Sequence, residues 1–226
     1  MTLNFDFVKE YMPYFIDGIK YTLLISVISV LMGVILGSLL CFMKKTSFKI
    51  GKFNPISFIA TAYIEIIRGT PMLLQILIVY VGFDQFFGTN MEALTAGIIA
   101  VSLNSGAYVS EIIRGGIDGV DKGQFEAARS LGMNKVKAMR LVVIPQAIRS
   151  ILPAIGNEFV TVIKDSSMAS TIGVGELMYA SKVVRGSTFR GIEPLIIAAA
   201  FYFVITFTLG RVLNMVERRM KASDAR

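Results

Sequence analysis

The chain of 226 residues is 54% hydrophobic and only 17% charged, with mean hydropathy +0.64 and a net charge of +7. A soluble domain usually carries about a quarter charged residues, so this deficit, gathered into long apolar runs, points to a bilayer. The basic residues flank those runs instead of lining a polar face, which excludes nucleic acid as the partner; with no histidine and one cysteine, Cys41, disulfide scaffolds, thiol–imidazole catalysis and ordinary zinc sites fall away too.

Residues 1–17 lack the basic start of a signal peptide, and the apolar run 19–43 is too long for a signal core, so it reads as a retained first span closed by Lys44 and Lys45. Gly33 and Gly37 within it form a G-x-x-x-G, whose expected role is a tight helix contact. A second span covers 56–87, interrupted midway by Arg68-Gly69-Thr70-Pro71. The third covers 94–113, the fourth 147–163 with Pro153 and Gly156 inside it, and the fifth 195–216, ending at Arg218 and Arg219. The whole chain, 1–226, is thus expected to be one all-α integral membrane domain of about five transmembrane helices.

Lys44, Lys45, Lys49 and Lys52 follow the first span. Arg114, Lys122, Arg129, Lys135, Lys137 and Arg140 fall between the third and fourth, and Arg218, Arg219, Lys221 and Arg226 form the tail. Five spans put all three segments on one side, which the positive-inside rule makes the cytoplasm, with the N-terminus outside and the C-terminus inside. The segment 164–193 would then lie outside. It is too long and too apolar for a plain linker, so a short re-entrant or interfacial helix is expected over 166–181.

The segment 114–145 carries the functional argument. Asp121 and Gln124 have the spacing of a capping box, so a helix of about 12 residues should start there. Phe125, Ala128 and Leu131 share one face of it, and Gly132 is a natural stop. A second short helix from Lys135 should break before Pro145. An ordinary amphipathic interfacial helix and a docking element for a cytosolic partner both fit this pattern.

Glu126-Ala127-Ala128, Gly132 and Val142-Val143-Ile144-Pro145, at these intervals, resemble the EAA loop of bacterial ABC importer permeases, with Val142 and Ile144 where Ile and Leu are commonest. Tyr63 to Pro71, Asn104 to Glu111, and Gly156-Asn157-Glu158-Phe159 are similar to the polar amino acid uptake subfamily, the histidine/arginine/glutamine/cystine type. The resemblance covers nearly the whole chain and implies the type I ABC importer permease fold in a bacterial cell membrane. It further implies that 121–132 is a coupling helix seated in a cytosolic ATP-binding subunit, with Glu126, Ala127, Ala128 and Arg129 on it and Gly132 permitting the close turn. An extracytoplasmic substrate-binding protein and pairing with a second permease, as homodimer or heterodimer, are implied likewise. No phosphate-loop motif occurs in the chain, so ATP and Mg belong to a separate polypeptide and no cofactor is expected here.

Polar residues at membrane depth usually face a cavity or a partner. Asn104, Tyr108 and Glu111 share one face of the third span; Glu158, Thr161 and Asp165 share one face of the fourth. A zwitterionic amino acid needs acceptors for its ammonium and donors for its carboxylate. Glu158 and Asn104 can supply acceptors, Asn104, Ser105, Thr70 and amides near Gly69 can supply donors, and Asp165 or Glu158 can pair with a cationic side chain. Glu65 with Arg68 and Glu111 with Arg114, both at i, i+3, read instead as ion pairs within one helix. An intramembrane enzyme would rest on Lys164-Asp165-Ser166 alone, with no oxyanion donors in sight. A secondary carrier or channel, independent of ATP, is the remaining alternative; it leaves the EAA segment without a purpose.

Overall fold

Lipid offers no hydrogen-bond partner to the backbone, so a crossing segment must satisfy its own amides, and a chain this apolar has to be helical where it crosses. In the computed structural model, which describes residues 3–46 and 48–224, nine α-helices follow one another. They are α1 Val8–Lys45, α2 Pro55–Arg68, α3 Met72–Phe87, α4 Ala93–Asp118, α5 Lys122–Ser130, α6 Lys135–Ala138, α7 Ile144–Asp165, α8 Leu177–Thr188 and α9 Glu193–Asp224. Four helical stretches are individually long and apolar enough to span a bilayer: α1, α4, the stretch Lys135–Ile172 that contains α7, and α9. The pair α2–α3 makes a fifth if taken as one broken span.

Helices cover each of the five expected apolar runs, with three departures. The first helix starts at Val8, not at residue 19, so its opening turns, carrying exposed Lys9, Glu10 and Asp17, continue beyond the apolar run. The second span is bent by 109° between Arg68 and Met72. Gly69 caps α2 by giving its N–H to the Glu65 carbonyl at 2.8 Å, and Pro71, in extended conformation, starts α3. Even so, the pair runs along the whole of α4. Ile64 packs beside Leu40 near the Lys44 end, the Tyr63 hydroxyl donates to Leu103 O midway, and Met72 and Ile76 join Ala96 and Ala100 towards the start of α4.

The third departure concerns Pro145, where a break was expected. Instead α6 runs through a π-helical turn, Met139–Val143, straight into α7. A wide turn there absorbs the missing N–H and the ring of Pro145, which would clash in a regular α-helix interior. The segment after α7 holds a short 3₁₀ helix, Ser166–Ile172, inside the expected range 166–181, and α8 starts within that range and runs on to Thr188.

Small residues decide the packing. A Cβ on Gly33 would sit 2.7 Å from Ser105 Oγ, and one on Gly37 would sit 2.8 Å from the Ser110 backbone N and 2.9 Å from Gly106 O. The G-x-x-x-G of α1 therefore presses directly onto the Ser105–Ser110 stretch of α4, the close contact expected of it. Ile25 and Val30 of α1, Met72 and Ile76 of α3, Val162 of α7, and Ala169 and Ile172 of the 3₁₀ helix close the main core around α4. A second cluster, Phe7, Phe15, Leu177, Val184 and Ala198, binds the first turns of α1 to α8 and α9. The helix α9 touches the bundle along only a narrow seam: 6% of its apolar window is buried.

The loop after α1, the α5–α6 segment and the C-terminal half of α9 gather at one end of the bundle, as Lys45–Asp118 and Gly156–Leu213 contacts require. The N-terminus, the α3–α4 connection and the C-terminal end of α8 lie at the other. Of the basic tail, the side chain of Lys221 and residue Arg226 lie outside the described residues.

Candidate functional site

Halfway along the bundle, four elements bring polar groups to one level: the α2–α3 bend, the middle of α4, α7 and, against them, Gly33 of α1. Asn104, buried, donates from Nδ2 to Gln75 Oε1 at 2.8 Å. Gln75 Nε2 in turn donates to Ile67 O at 2.7 Å, Thr70 O at 3.1 Å and Thr70 Oγ1 at 2.9 Å. Gln75 thus ties the open carbonyls at the end of α2 to α4. The sequence reading passed it over, although a lone amide in an otherwise apolar run, four residues after Pro71, was a usable signal.

Next to Asn104 on α4, Ser105 is fully buried. Its hydroxyl neighbours the Glu158 carboxyl of α7 and meets no hydrogen-bond partner of good geometry among the described residues. Glu158 itself is 9% exposed and has no cation within ion-pair distance among the described residues. Asp165, half-buried two turns further along α7, is close enough for the two carboxylates to repel each other. Thr161, expected on the same face, is exposed and spends its hydroxyl on Asn157 O at 3.2 Å.

The expected donors are differently placed. The Gly69 N–H is consumed in capping α2, and the Thr70 hydroxyl donates to Ile66 O at 2.9 Å. Neither is open to a solute in this conformation, because both finish a helix whose last carbonyls would otherwise be unpaired at membrane depth. Asn104 gives one amide hydrogen to Gln75 and keeps the other; Ser105 keeps its hydroxyl. The structure therefore brings Asn104, Ser105, Glu158 and Asp165 together along the α4–α7 seam, and leaves Gly69 and Thr70 as support behind Gln75.

Towards the Lys44 end lies a contrasting cluster. Glu111 accepts from Lys44 at 2.9 Å and from Arg114 at 2.7 Å, with Arg68 at 3.9 Å; Asp118 joins Lys45 at 2.7 Å and Arg114 at 3.2 Å. The expected Glu111–Arg114 pair is present. Arg68, however, turns away from Glu65, which is exposed, and reaches from α2 to Glu111 across the face of Tyr108, 5.2 Å from its ring centre. Side chains on a helix lean towards its N-terminus, and that lean carries Arg68 back along α2 to the level of Glu111. The cluster fastens α1, α2 and α4 to one another at this end.

Beyond it, the α5 helix stands out from the bundle. Asp121 caps it by accepting from Gly123 N at 2.7 Å, but Gln124 faces Gln146 at 3.4 Å, so the reciprocal half of the capping box does not form. The helix is nine residues long, shorter than the expected 12. It ends at Gly132 (φ +83°), where Met133 N–H donates to Ala128 O at 3.2 Å and Gly132 N–H to Arg129 O at 3.0 Å. Those two bonds define the left-handed glycine stop anticipated at this position. Ala128 is buried and Phe125 half-buried, while Glu126, Ala127, Arg129 and Leu131 are exposed, so of the three apolar residues expected on one face Leu131 is the one left uncovered. A cleft of about 870 Å³ opens beside this element between the ends of α4 and α7, lined by Glu111, Gly115, Gly116, Asp121, Gln146 and Arg149.

Comparison with known proteins agrees with this geometry. Residues 29–222 match the family described as the binding-protein-dependent transport system inner membrane component. The arginine transport system permease protein ArtQ of Bacillus subtilis (strain 168) is 41% identical, across 99% of this chain and 100% of its own length. The glutamine transport system permease protein GlnP of Escherichia coli (strain K12) is 34% identical across 98% and 99%. A chain from the crystal structure of an amino acid ABC transporter with histidines superposes with a TM-score of 0.92 at 48% identity, over 97% of this chain and 100% of that one. A chain of the inward-facing MetNI methionine ABC transporter, 17% identical, shares the fold at a TM-score of 0.75 over 92% of this chain and 97% of that one. A multi-pass membrane protein with an exposed helical element on one face and this similarity over nearly its full length belongs to the family of binding-protein-dependent transport system inner membrane components.

Proposed function

We propose that this chain is the permease subunit of an ABC importer for a polar amino acid, paired with a second permease to line an alternating-access pathway. The N-terminus faces outside and the C-terminus the cytoplasm, where α5 seats in a separate ATP-binding subunit that holds ATP and Mg. The relatives are named as permease proteins of arginine and glutamine transport systems, and the transport chemistry follows theirs: this subunit is not itself an enzyme. An ATP-independent carrier is not favoured, since the similarity extends through the Glu126–Pro145 segment.

One observation carries the substrate reading. Glu158 is a carboxylate sunk in the bundle, beside an uncommitted serine hydroxyl, with no cation paired to it among the described residues. A buried charge of this kind is costly unless something pairs with it, and the ammonium of an amino acid would do so transiently. Asn104 and Ser105 supply donors for the substrate's carboxylate. Asp165 adds a second anion on the same helix, which favours a substrate with a cationic side chain over a neutral one.

The test is ATP hydrolysis and uptake in liposomes holding this chain, its ATP-binding subunit and its substrate-binding protein, run over a panel of amino acids. Glu126→Lys should abolish substrate-dependent hydrolysis, and arginine, lysine or histidine should stimulate most. Uptake that persists without ATP would overturn the importer reading. Unchanged uptake in Glu158→Ala would overturn the site alone.

A further inference from the structure

The end of the bundle away from α5 carries a feature that transport through the middle does not use. The first turns of α1 and the whole of α8 pack side by side there through Phe7, Phe15, Ala180 and Val184. At the tip of α8, Lys182, Arg185 and Arg190 surround a concavity of about 430 Å³, with Phe189 on its rim. None of the three cations forms an ion pair with a carboxylate among the described residues. Lys182 donates to Ser170 Oγ at 2.9 Å, Arg190 donates to Asn4 O and lies over the Phe7 ring, and Arg185 is exposed. Two acidic groups are nearby: Glu193, close to Arg190, and Glu176, buried beneath and close to Lys182. Phe189 is 95% exposed and has φ +54°, the left-handed region that a bulky residue rarely takes.

Lipid does not account for this patch. From exposed Lys20 to Phe7, the α1 axis extends by roughly 20 Å at the helical rise, and Phe7 touches Arg190. The headgroup layer is only about 5–7 Å thick on each side. Four charged residues on the same stretch, Asp6, Lys9, Glu10 and Asp17, are exposed, which does not suit the apolar core of a bilayer. An arginine-rich surface with a protruding aromatic is the composition of a protein interface.

We propose that Lys182, Arg185, Arg190 and Phe189 form a docking patch for an acidic lobe of the soluble substrate-binding protein. The inference rests on the orientation given under Proposed function, which puts this end outside. The cations steer and hold carboxylates of that lobe, and Phe189 enters an apolar recess on it. Docking by exposed charge should weaken steeply with salt.

The experiment titrates the system's purified substrate-binding protein onto the complete transporter in phosphatidylcholine liposomes, reading stimulated ATP hydrolysis at low and high salt. Lys182→Gln/Arg185→Gln should raise the half-saturating concentration about tenfold at low salt, flatten its salt dependence, and leave the maximal and basal rates unchanged. Phe189→Ser should raise it severalfold with the salt dependence intact. Arg190 is left alone because it also ties down Asn4 and Phe7. Robust stimulation with the same half-saturation and salt slope in both variants overturns the patch while leaving the importer reading standing. Failure of the wild type to respond at all overturns the importer reading and the patch with it. Differences that arise only in phosphatidylglycerol vesicles, with or without the binding protein, would assign the cations to anionic lipid and overturn the proposal.

Discussion

Glu111 and Glu158 are both carboxylates within the spanning helices of this bundle, one turned towards α4's own arginine and the other towards α4's serine. Glu111 has Lys44 and Arg114 in direct contact and Arg68 at 3.9 Å. Glu158 has the Ser105 hydroxyl and a second anion, Asp165. The first is a satisfied charge that joins three helices. The second is a charge left open, which a folded protein tolerates at membrane depth when something else completes it. Two acidic residues of one type, about 10 Å apart in helical level on neighbouring helices by the rise per residue, thus divide into a fastener and a site by the company they keep.

The largest expected effect tests the open charge. Glu158→Gln preserves shape and removes the anion, so uptake should fall by about a hundredfold, equivalent to roughly 2.7 kcal/mol, while the midpoint of thermal unfolding holds or rises. A matching loss of thermal stability would place Glu158 with Glu111 as a structural group and dissolve the distinction.

Glu111→Gln is the converse. It strands Lys44 and Arg114 at the end of α4, and breaking a buried pair from one side costs about 3–5 kcal/mol. The partners here reach solvent, with side chains 26% and 39% exposed, so a loss of about 2 kcal/mol is expected. Thermal unfolding in detergent reads this directly. The double variant Glu111→Met/Lys44→Met should recover part of the loss, since removing both charges leaves fewer groups uncompensated. Equal stability of single and double variants would show that Arg114 alone holds the carboxylate.

Third in size is Gln75→Leu, which leaves Asn104 Nδ2 and two carbonyls at the end of α2 without partners. Unsatisfied buried groups cost about 1–3 kcal/mol each, though relaxation and water reduce the sum. A net loss near 2 kcal/mol is expected, with a raised half-saturating substrate concentration because Asn104 loses its anchor. Stability lost without any change in substrate dependence would make Gln75 a brace for the bend alone.

Much of this was legible in the sequence, and the reasons are local. The five apolar runs, the Gly33–Gly37 contact, the Glu111–Arg114 pair and the stop at Gly132 all depend on residues within a turn or two of each other, or on bulk hydropathy. What escaped notice depends on where helices lie relative to one another. Arg68 pairs with Glu111 and not with Glu65 because α2 ends beside α4. Gln75 matters because the bend leaves carbonyls open beside it. The 109° angle at Gly69–Pro71 and the π turn before Pro145 follow from how a proline is accommodated, and a sequence announces the proline without announcing the accommodation. Asn104 with Tyr108 and Glu111, and Glu158 with Asp165, were each visible as helix-face patterns; that α4 and α7 bring Asn104, Ser105 and Glu158 to one seam was not.

The smallest effect concerns how the α5 end is attached. Gly132 has φ +83° with open space around its missing side chain, so Gly132→Ala meets only backbone strain of about 1 kcal/mol. For a chain of this length that corresponds to a midpoint shift of about 2–4 °C. Gly88, φ +66° and equally open, closes α3 at the opposite end of the molecule, and Gly88→Ala should cost the same. The two variants are therefore matched in stability and differ in place. If α5 passes the ATP cycle to the spans, Gly132→Ala should increase the ATP hydrolysed per substrate imported, because an exit turn under strain holds the helix less firmly, whereas Gly88→Ala should leave that ratio untouched. Equal ratios in the two would make the glycine a stop for the helix and nothing more, and coupling would then rest on the exposed face that carries Glu126.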